Sequence, residues 1–159
     1  MLLAITCALP AGQSLASTVQ TTFQVTANVQ VSCTLFATDL AFGTYDPNSN
    51  QPLNAQSNVS IDCTNGANWN IGLDKGLHGA DVTSRAMAND SDSSVLLDYG
   101  IFKDPAHTLN WGETIGTDTV SGVGTGVVQE IGAYGQIPKK QSTATAGGYS
   151  DTITATATF

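Results

Sequence analysis

Positive charge is scarce in this chain. Lys75, Arg85, Lys103, Lys139 and Lys140 are its only Lys and Arg residues, set against 13 Asp and Glu for a formal net charge of -8. Without a basic stripe to neutralise phosphates and release their counterions, nucleic acid is a poor partner, and an anionic membrane surface is disfavoured for the same reason. Histidine is nearly absent: His78 and His107 both stand in Gly- or Pro-flanked loop sequence. No Gly-x-Ser-x-Gly elbow and no His-Glu-x-x-His zinc motif occurs, so no catalytic residue, metal ligand or cofactor is expected. Asp90-Ser91-Asp92 with Ser94 departs from a calcium loop, which needs Gly at its sixth position and a bidentate Glu at its twelfth, where Ile101 stands. The chain also lacks any apolar run of about 20 residues, so no direct membrane anchor is expected.

What is present is a chain of 159 residues, 41% hydrophobic and 11% charged, which suits one compact domain. Its start, Met1 to Ala16, reads as a secretory signal: apolar Leu2 to Ile5, a breaker at Pro10 and Gly12, then Ser14-Leu15-Ala16, the small-x-small ending that signal peptidase accepts. The other reading of this stretch is the first element of a cytosolic domain. Cleavage would remove Cys7 and turn three cysteines into the even pair Cys33 and Cys63. A disulfide between them is the simplest expectation for an exported chain, with two buried free thiols as the alternative.

The hydrophobic period is two almost throughout. Phe23, Val25, Ala27, Val29, Val31, Cys33 and Leu35 alternate without a slip against Gln24, Thr26, Asn28, Gln30, Ser32 and Thr34, the pattern of a strand with one buried face. Further strands are expected over 39–45, 56–63, 69–73, 95–102, 127–134 and 149–159, separated by turn clusters such as Asp46-Pro47-Asn48, Asn65-Gly66, Asp104-Pro105 and Ala146-Gly147-Gly148. No segment has a helical stripe with caps. Short strands at regular spacing, with one disulfide, predict an all-β antiparallel sandwich of immunoglobulin-like character.

The run from Phe23 to Leu35 exceeds the usual strand of about 5 to 6 residues. It therefore serves two places: its second half is anchored by Cys33, while its first half is an unstapled amphipathic strand that can pair at home or with a neighbour. At the far end, 149–159 alternates to the last residue and leaves nothing to build a closing strand. Trp69, beside Ile71 and Leu73, belongs to the core; Trp111, in a Leu-Asn-Trp-Gly turn, fits either a core position or an exposed platform.

In order along the chain, Cys33 and Cys63, Leu40-Ala41-Phe42-Gly43-Thr44-Tyr45, Val59-Ser60-Ile61-Asp62-Cys63-Thr64, Leu97-Asp98-Tyr99-Gly100-Ile101-Phe102, Trp111-Gly112, Tyr134-Gly135-Gln136-Ile137-Pro138 and Gly148-Tyr149-Ser150-Asp151-Thr152 resemble the spore coat protein U-like domain. That family includes subunits of archaic, Csu-type chaperone–usher pili. The resemblance implies an incomplete immunoglobulin-like sandwich with an N-terminal donor strand. It divides the chain into a signal peptide over 1–16, a donor extension over 17–31 and a pilin-like domain over 32–159. Phe23, Val25, Ala27 and Val29 would insert into a neighbouring subunit's groove, with Val31 at the boundary. Ile153, Ala155, Ala157 and Phe159 would form the edge that a periplasmic chaperone pairs before assembly at an outer-membrane usher. The expected product is an extracellular, cell-surface fibre that supports adhesion or biofilm formation. One domain with a donor extension points to a shaft or adaptor subunit, since a tip adhesin is expected to carry a second domain. The competing reading is a self-contained secreted coat or carbohydrate-binding module, with Phe23 to Val29 buried in its own sheet and aromatics exposed at a shallow site.

Overall fold

The computed structural model describes residues 16–159. The signal expected over 1–16, with Cys7, lies outside the described residues but for Ala16. Nine strands follow in order: β1 (Cys33–Ala37), β2 (Leu53–Cys63), β3 (Asn68–Leu73), β4 (Arg85–Asn89), β5 (Leu96–Phe102), β6 (Val120–Val123), β7 (Gln129–Ile137), β8 (Tyr149–Ser150) and β9 (Ala155–Thr158). They form a six-stranded sheet in the order β1-β2-β7-β5-β4-β8 and a three-stranded sheet in the order β6-β3-β9. Every pairing is antiparallel. This is the all-β, immunoglobulin-like sandwich that the alternation predicts.

The longest ladder shows how the sequence directs it. In β2, Val59, Ile61 and Cys63 are buried while Asn54 and Gln56 are exposed, and β2 pairs β7 from Leu53↔Ile137 to Ile61↔Gln129. A one-residue slip would turn Val59 and Ile61 to solvent, so burial pins the register. Between the sheets lie Ile61, Trp69, Ile71, Leu97, Ile101, Trp111 and Ile137, all buried. Each large side chain so placed contributes about 1.5 to 3 kcal/mol before ordering costs. Cys33 and Cys63 stand directly opposite each other on β1 and β2 and are joined by a disulfide.

Five parts of the sandwich differ from the pattern read in the sequence. Residues 39–45 form no strand, although Leu40, Phe42 and Tyr45 pack against the core. The chain leaves the β2 ladder at Thr38, whose hydroxyl accepts the Asn58 N–H at 3.0 Å, and it turns at Gly43 with φ 74°. A positive φ there suits glycine and interrupts a strand. The 149–159 run divides between the sheets, with β8 pairing β4 and β9 pairing β3, so that 151–154 crosses from one layer to the other. Strand β4 escaped the alternation because Arg85 and Asn89 are polar yet buried. Strand β6 escaped because it is short and contains Gly122, where a Cβ would stand 2.3 Å from Trp69.

The fifth difference concerns the N-terminal run. Only its end, from Cys33, is strand; residues 16–32 join neither sheet and their side chains are exposed. Phe23, Val25 and Val29 are 86%, 85% and 81% exposed.

Candidate functional site: an open apolar groove

In the six-stranded sheet β1 is bonded only to β2, and in the three-stranded sheet β9 is bonded only to β3. These two edges approach each other without pairing. Edge strands left this way present a row of free backbone donors and acceptors. Between them a cavity of about 440 Å³ opens into the sandwich. One wall is Ala37 to Leu40 with Phe42; the other is Tyr149 to Ile153 with Ala155; Val59, Ile101 and Ala133 form the apolar floor.

The first wall is held by close fits. Leu40 and Phe42 lie over Gly135, where a Cβ would meet them at 2.7 Å, so any side chain at 135 would push this wall away. Phe42 also meets Tyr99 edge to face, with ring centroids 6.2 Å apart. Tyr45 reaches across to donate a 2.8 Å hydrogen bond to the Pro138 carbonyl.

The opposite wall is held by carboxylates. Asp151 accepts hydrogen bonds from the Tyr99 hydroxyl at 2.7 Å and the Leu77 N–H at 2.8 Å. Asp74 accepts from the Thr154 N–H at 2.9 Å, while its own N–H donates to the Thr154 carbonyl at 3.1 Å. Burial disfavours the charged form of Asp74, but the bonds from Thr154 and Gly76 and the charge of Arg85 outweigh it and hold its pKa below the ordinary value. Arg85 is fully buried behind this wall. Its guanidinium donates to the carbonyls of Asp74, Leu73 and Trp111 at 2.8, 2.9 and 2.7 Å. Burial lowers its pKa and pushes that of Tyr99 up, the latter reinforced by the bond to Asp151.

The residues singled out in the sequence fall in distinct places. Ile153, Ala155 and Ala157 are half-buried against the core beside the groove, whereas Phe159 lies beyond β9 and is 58% exposed. The expected terminal strand is thus shorter than drawn, since β9 covers only Ala155–Thr158. Phe23, Val25, Ala27, Val29 and Val31 are all exposed. The arrangement that a self-contained module needs, Phe23 to Val29 within its own sheet, is not the one observed. Nor is Trp111 a surface platform: it is fully buried and its indole N–H donates to the Ile71 carbonyl at 2.9 Å. His78 is exposed, and the His107 ring stands edge-on to Phe102 at 5.4 Å. Asp90 accepts from the Ser150 hydroxyl and Asp92 from Ser94, each as part of a turn or strand contact. Among the described residues no group of three or more His, Cys, Asp or Glu could hold a metal ion. Sequence reasoning missed Tyr99, Asp151, Asp74 and Arg85 as holders of the groove, because their meeting depends on the pairing of distant strands.

An immunoglobulin-like sandwich with an open apolar groove between the edges β1 and β9, and on the same chain an alternating segment that joins neither sheet, defines the class of β-domain. The chain belongs to the Spore Coat Protein U domain family, whose model matches residues 19–156. Among solved structures it is similar to a chain of the CsuC-CsuE chaperone-tip adhesion subunit pre-assembly complex from archaic chaperone-usher Csu pili of Acinetobacter baumannii. The TM-score is 0.59 and the identity 27%, over 82% of this chain. The match covers 40% of that longer chain. No curated protein sequence matches significantly.

Proposed function

We propose that the protein is a structural subunit, shaft or adaptor, of an extracellular chaperone–usher pilus, and that it polymerises by giving its N-terminal strand to a neighbour's groove. The observation that carries this reading is one chain with both halves of a missing contact: an apolar groove between β1 and β9, and an alternating segment that occupies no sheet. Phe23, Val25, Ala27 and Val29 would fill the neighbour's groove, with Val31 at the boundary between the extension 17–31 and the domain 32–159. Donor-strand complementation of pilins is a recognised form of β-strand addition, in which main-chain bonds give affinity and alternate side chains give fit. The segment suits such burial because no charged residue precedes Asp39, so no ion has to be desolvated.

The contact is heterologous, because one subunit's extension meets a different surface on the next, and repetition without closure makes a filament. Before assembly the edge around Ile153, Ala155 and Ala157 would be paired by a periplasmic chaperone, and the usher in the outer membrane would exchange that strand for the next subunit's. The fibre would stand at the cell surface, in adhesion or biofilm formation, with no catalytic role. The fold similarity to a chain of a chaperone–subunit complex supports these partners.

The test is electrophoresis without boiling of Ser17–Phe159 beside a version lacking Ser17 to Val29. Ladders in the first that vanish in the second are expected. A stable monomer in both would overturn the proposal.

A further inference from the structure

On the outer face of the three-stranded sheet a second cavity, of about 400 Å³, lies between β9 and the loop that leads into β6. Its floor is two cross-strand pairs, Asn70↔Thr158 and Gly72↔Thr156. Side chains alternate across a strand, so Ala155 faces the groove while Thr156 beside it faces this cavity. The loop wall, Glu113 to Ile115, is held by the backbone. The Leu73 N–H donates to the Gly112 carbonyl at 3.0 Å, and the Gly112 N–H donates to that of Asp118 at 3.1 Å. The Asp118 carboxylate in turn accepts the Thr114 N–H at 2.7 Å. Gly72 is bare where this loop touches the sheet: a Cβ there would stand 2.9 Å from the Glu113 Cα. Asp74 also lines the cavity, oriented by the Thr154 and Gly76 N–H groups, which donate to the same oxygen at 2.9 and 3.0 Å.

We propose that this cleft binds a neutral sugar residue of a glycan. The lining selects that class of ligand. Among the described residues that form it none is Lys, Arg or His and two are carboxylates, so an anionic ligand is repelled. Carboxylates only accept hydrogen bonds, whereas the threonine hydroxyls and the Asn70 amide both donate and accept. The ligand must therefore bring donors. Asp74 is already countered by the charge of Arg85, so the cleft calls for neutral donors rather than a second cation. A sugar ring presents hydroxyls on adjacent carbons, which one carboxylate can accept together. Ile115, 56% exposed on the loop wall, offers the C–H face of such a ring an apolar contact. The volume falls within the roughly 300 to 1,000 Å³ of small-molecule sites. Because the wall and floor are already ordered, little freedom is lost on binding. The proposal does not depend on strand donation; on a fibre the site would recur in every subunit, and weak single contacts would add by multivalency.

The experiment is ligand-observed saturation-transfer NMR on the mature chain, 17–159, which reads monomer and fibre alike. The probes are the methyl glycosides of glucose, galactose and mannose, with putrescine as the cationic and gluconate as the anionic control. Saturation transfer to at least one glycoside and not to gluconate is expected. Glu113→Gln and Thr156→Val, both at exposed positions, should each weaken that binding about tenfold or more while the urea midpoint stays unchanged. No transfer to any glycoside would overturn the proposal. Transfer to putrescine alone would overturn the sugar assignment in favour of an amine, and glycoside binding that both variants retain would overturn the site.

Discussion

The Tyr99 hydroxyl donates a 2.7 Å hydrogen bond to Asp151, joining the floor strand β5 to the segment that crosses between the two sheets. Tyr99 is buried, and its partner also accepts the Leu77 N–H, so one carboxylate ties three distant parts of the chain together. A bond to a charged acceptor contributes about 1.5 to 3 kcal/mol. Tyr99→Phe should therefore lower unfolding stability by about that amount in urea titrations. Because the folded pKa of Tyr99 lies above its ordinary value of 10.0, its contribution is complete below that value and is lost as pH rises beyond it. The wild type should lose stability steeply above pH 10.0, and Tyr99→Phe should flatten that decline. Equal alkaline slopes in the two proteins would refute the assignment.

Reduction of the Cys33–Cys63 bridge provides a second test. The bond spans a sequence separation of 30 residues, so in the chain-entropy model reduction gives the unfolded state back about 3 to 4 kcal/mol. Because β1 forms one side of the groove opening and is bonded only to β2, its loosening should also reduce strand acceptance. Denaturant midpoints before and after verified reduction are the measurement. An unchanged midpoint would refute a stabilising role.

The turn before β4 gives an acid-side prediction. Asp81 accepts the Thr83 N–H at 2.7 Å and the Thr83 hydroxyl at 2.6 Å, and these bonds hold its pKa down to about 2. A depressed folded pKa means that the contribution is present above the ordinary 3.8 and disappears as pH falls through about 2. Asp81→Asn keeps the turn-forming side chain and removes the titration. Urea midpoints followed downward from pH 5 should fall less steeply in Asp81→Asn than in the wild type; parallel curves would count against this carboxylate.

How far the sequence discloses the molecule depends on whether a residue's environment is local. Strands β2, β3, β5 and β7 were legible because each buries one face, and period-two patterning records that directly. Strand β4 was not, since Arg85 is sheltered by the carbonyls of Leu73, Asp74 and Trp111, a partnership invisible in its own neighbourhood. Alternation over 39–45 misled for the opposite reason. Leu40 and Phe42 do turn inward, but onto the bare backbone of Gly135, and no strand pairs beside them. The 149–159 run kept its alternating burial while its bonding partner changed from β4 to β3. In the groove, Ile153 and Ala155 were legible as apolar members of that run. The carboxylates that position them, Asp74 and Asp151, lie just beyond strand ends and meet their partners across long sequence separations.

Donor and acceptor functions can be separated by two substitutions in different copies. Val25→Asp places a charge on a segment proposed to enter an apolar groove, where an unpaired ion costs several kcal/mol after relaxation. It leaves that copy's own groove intact. Ala37→Trp acts on the other side: Ala37 lines the groove and is exposed, so a large ring there obstructs an incoming strand without disturbing a filled core. Neither variant alone should form ladders, because one cannot donate and the other cannot accept. Mixed together they should give a single dimer band and nothing longer, since the Val25→Asp groove accepts the Ala37→Trp extension and the chain then terminates at both ends. Long ladders from Val25→Asp alone would remove the donor assignment. A mixture that stays monomeric while wild-type subunits polymerise would show that these two residues do not define complementary sides of one contact.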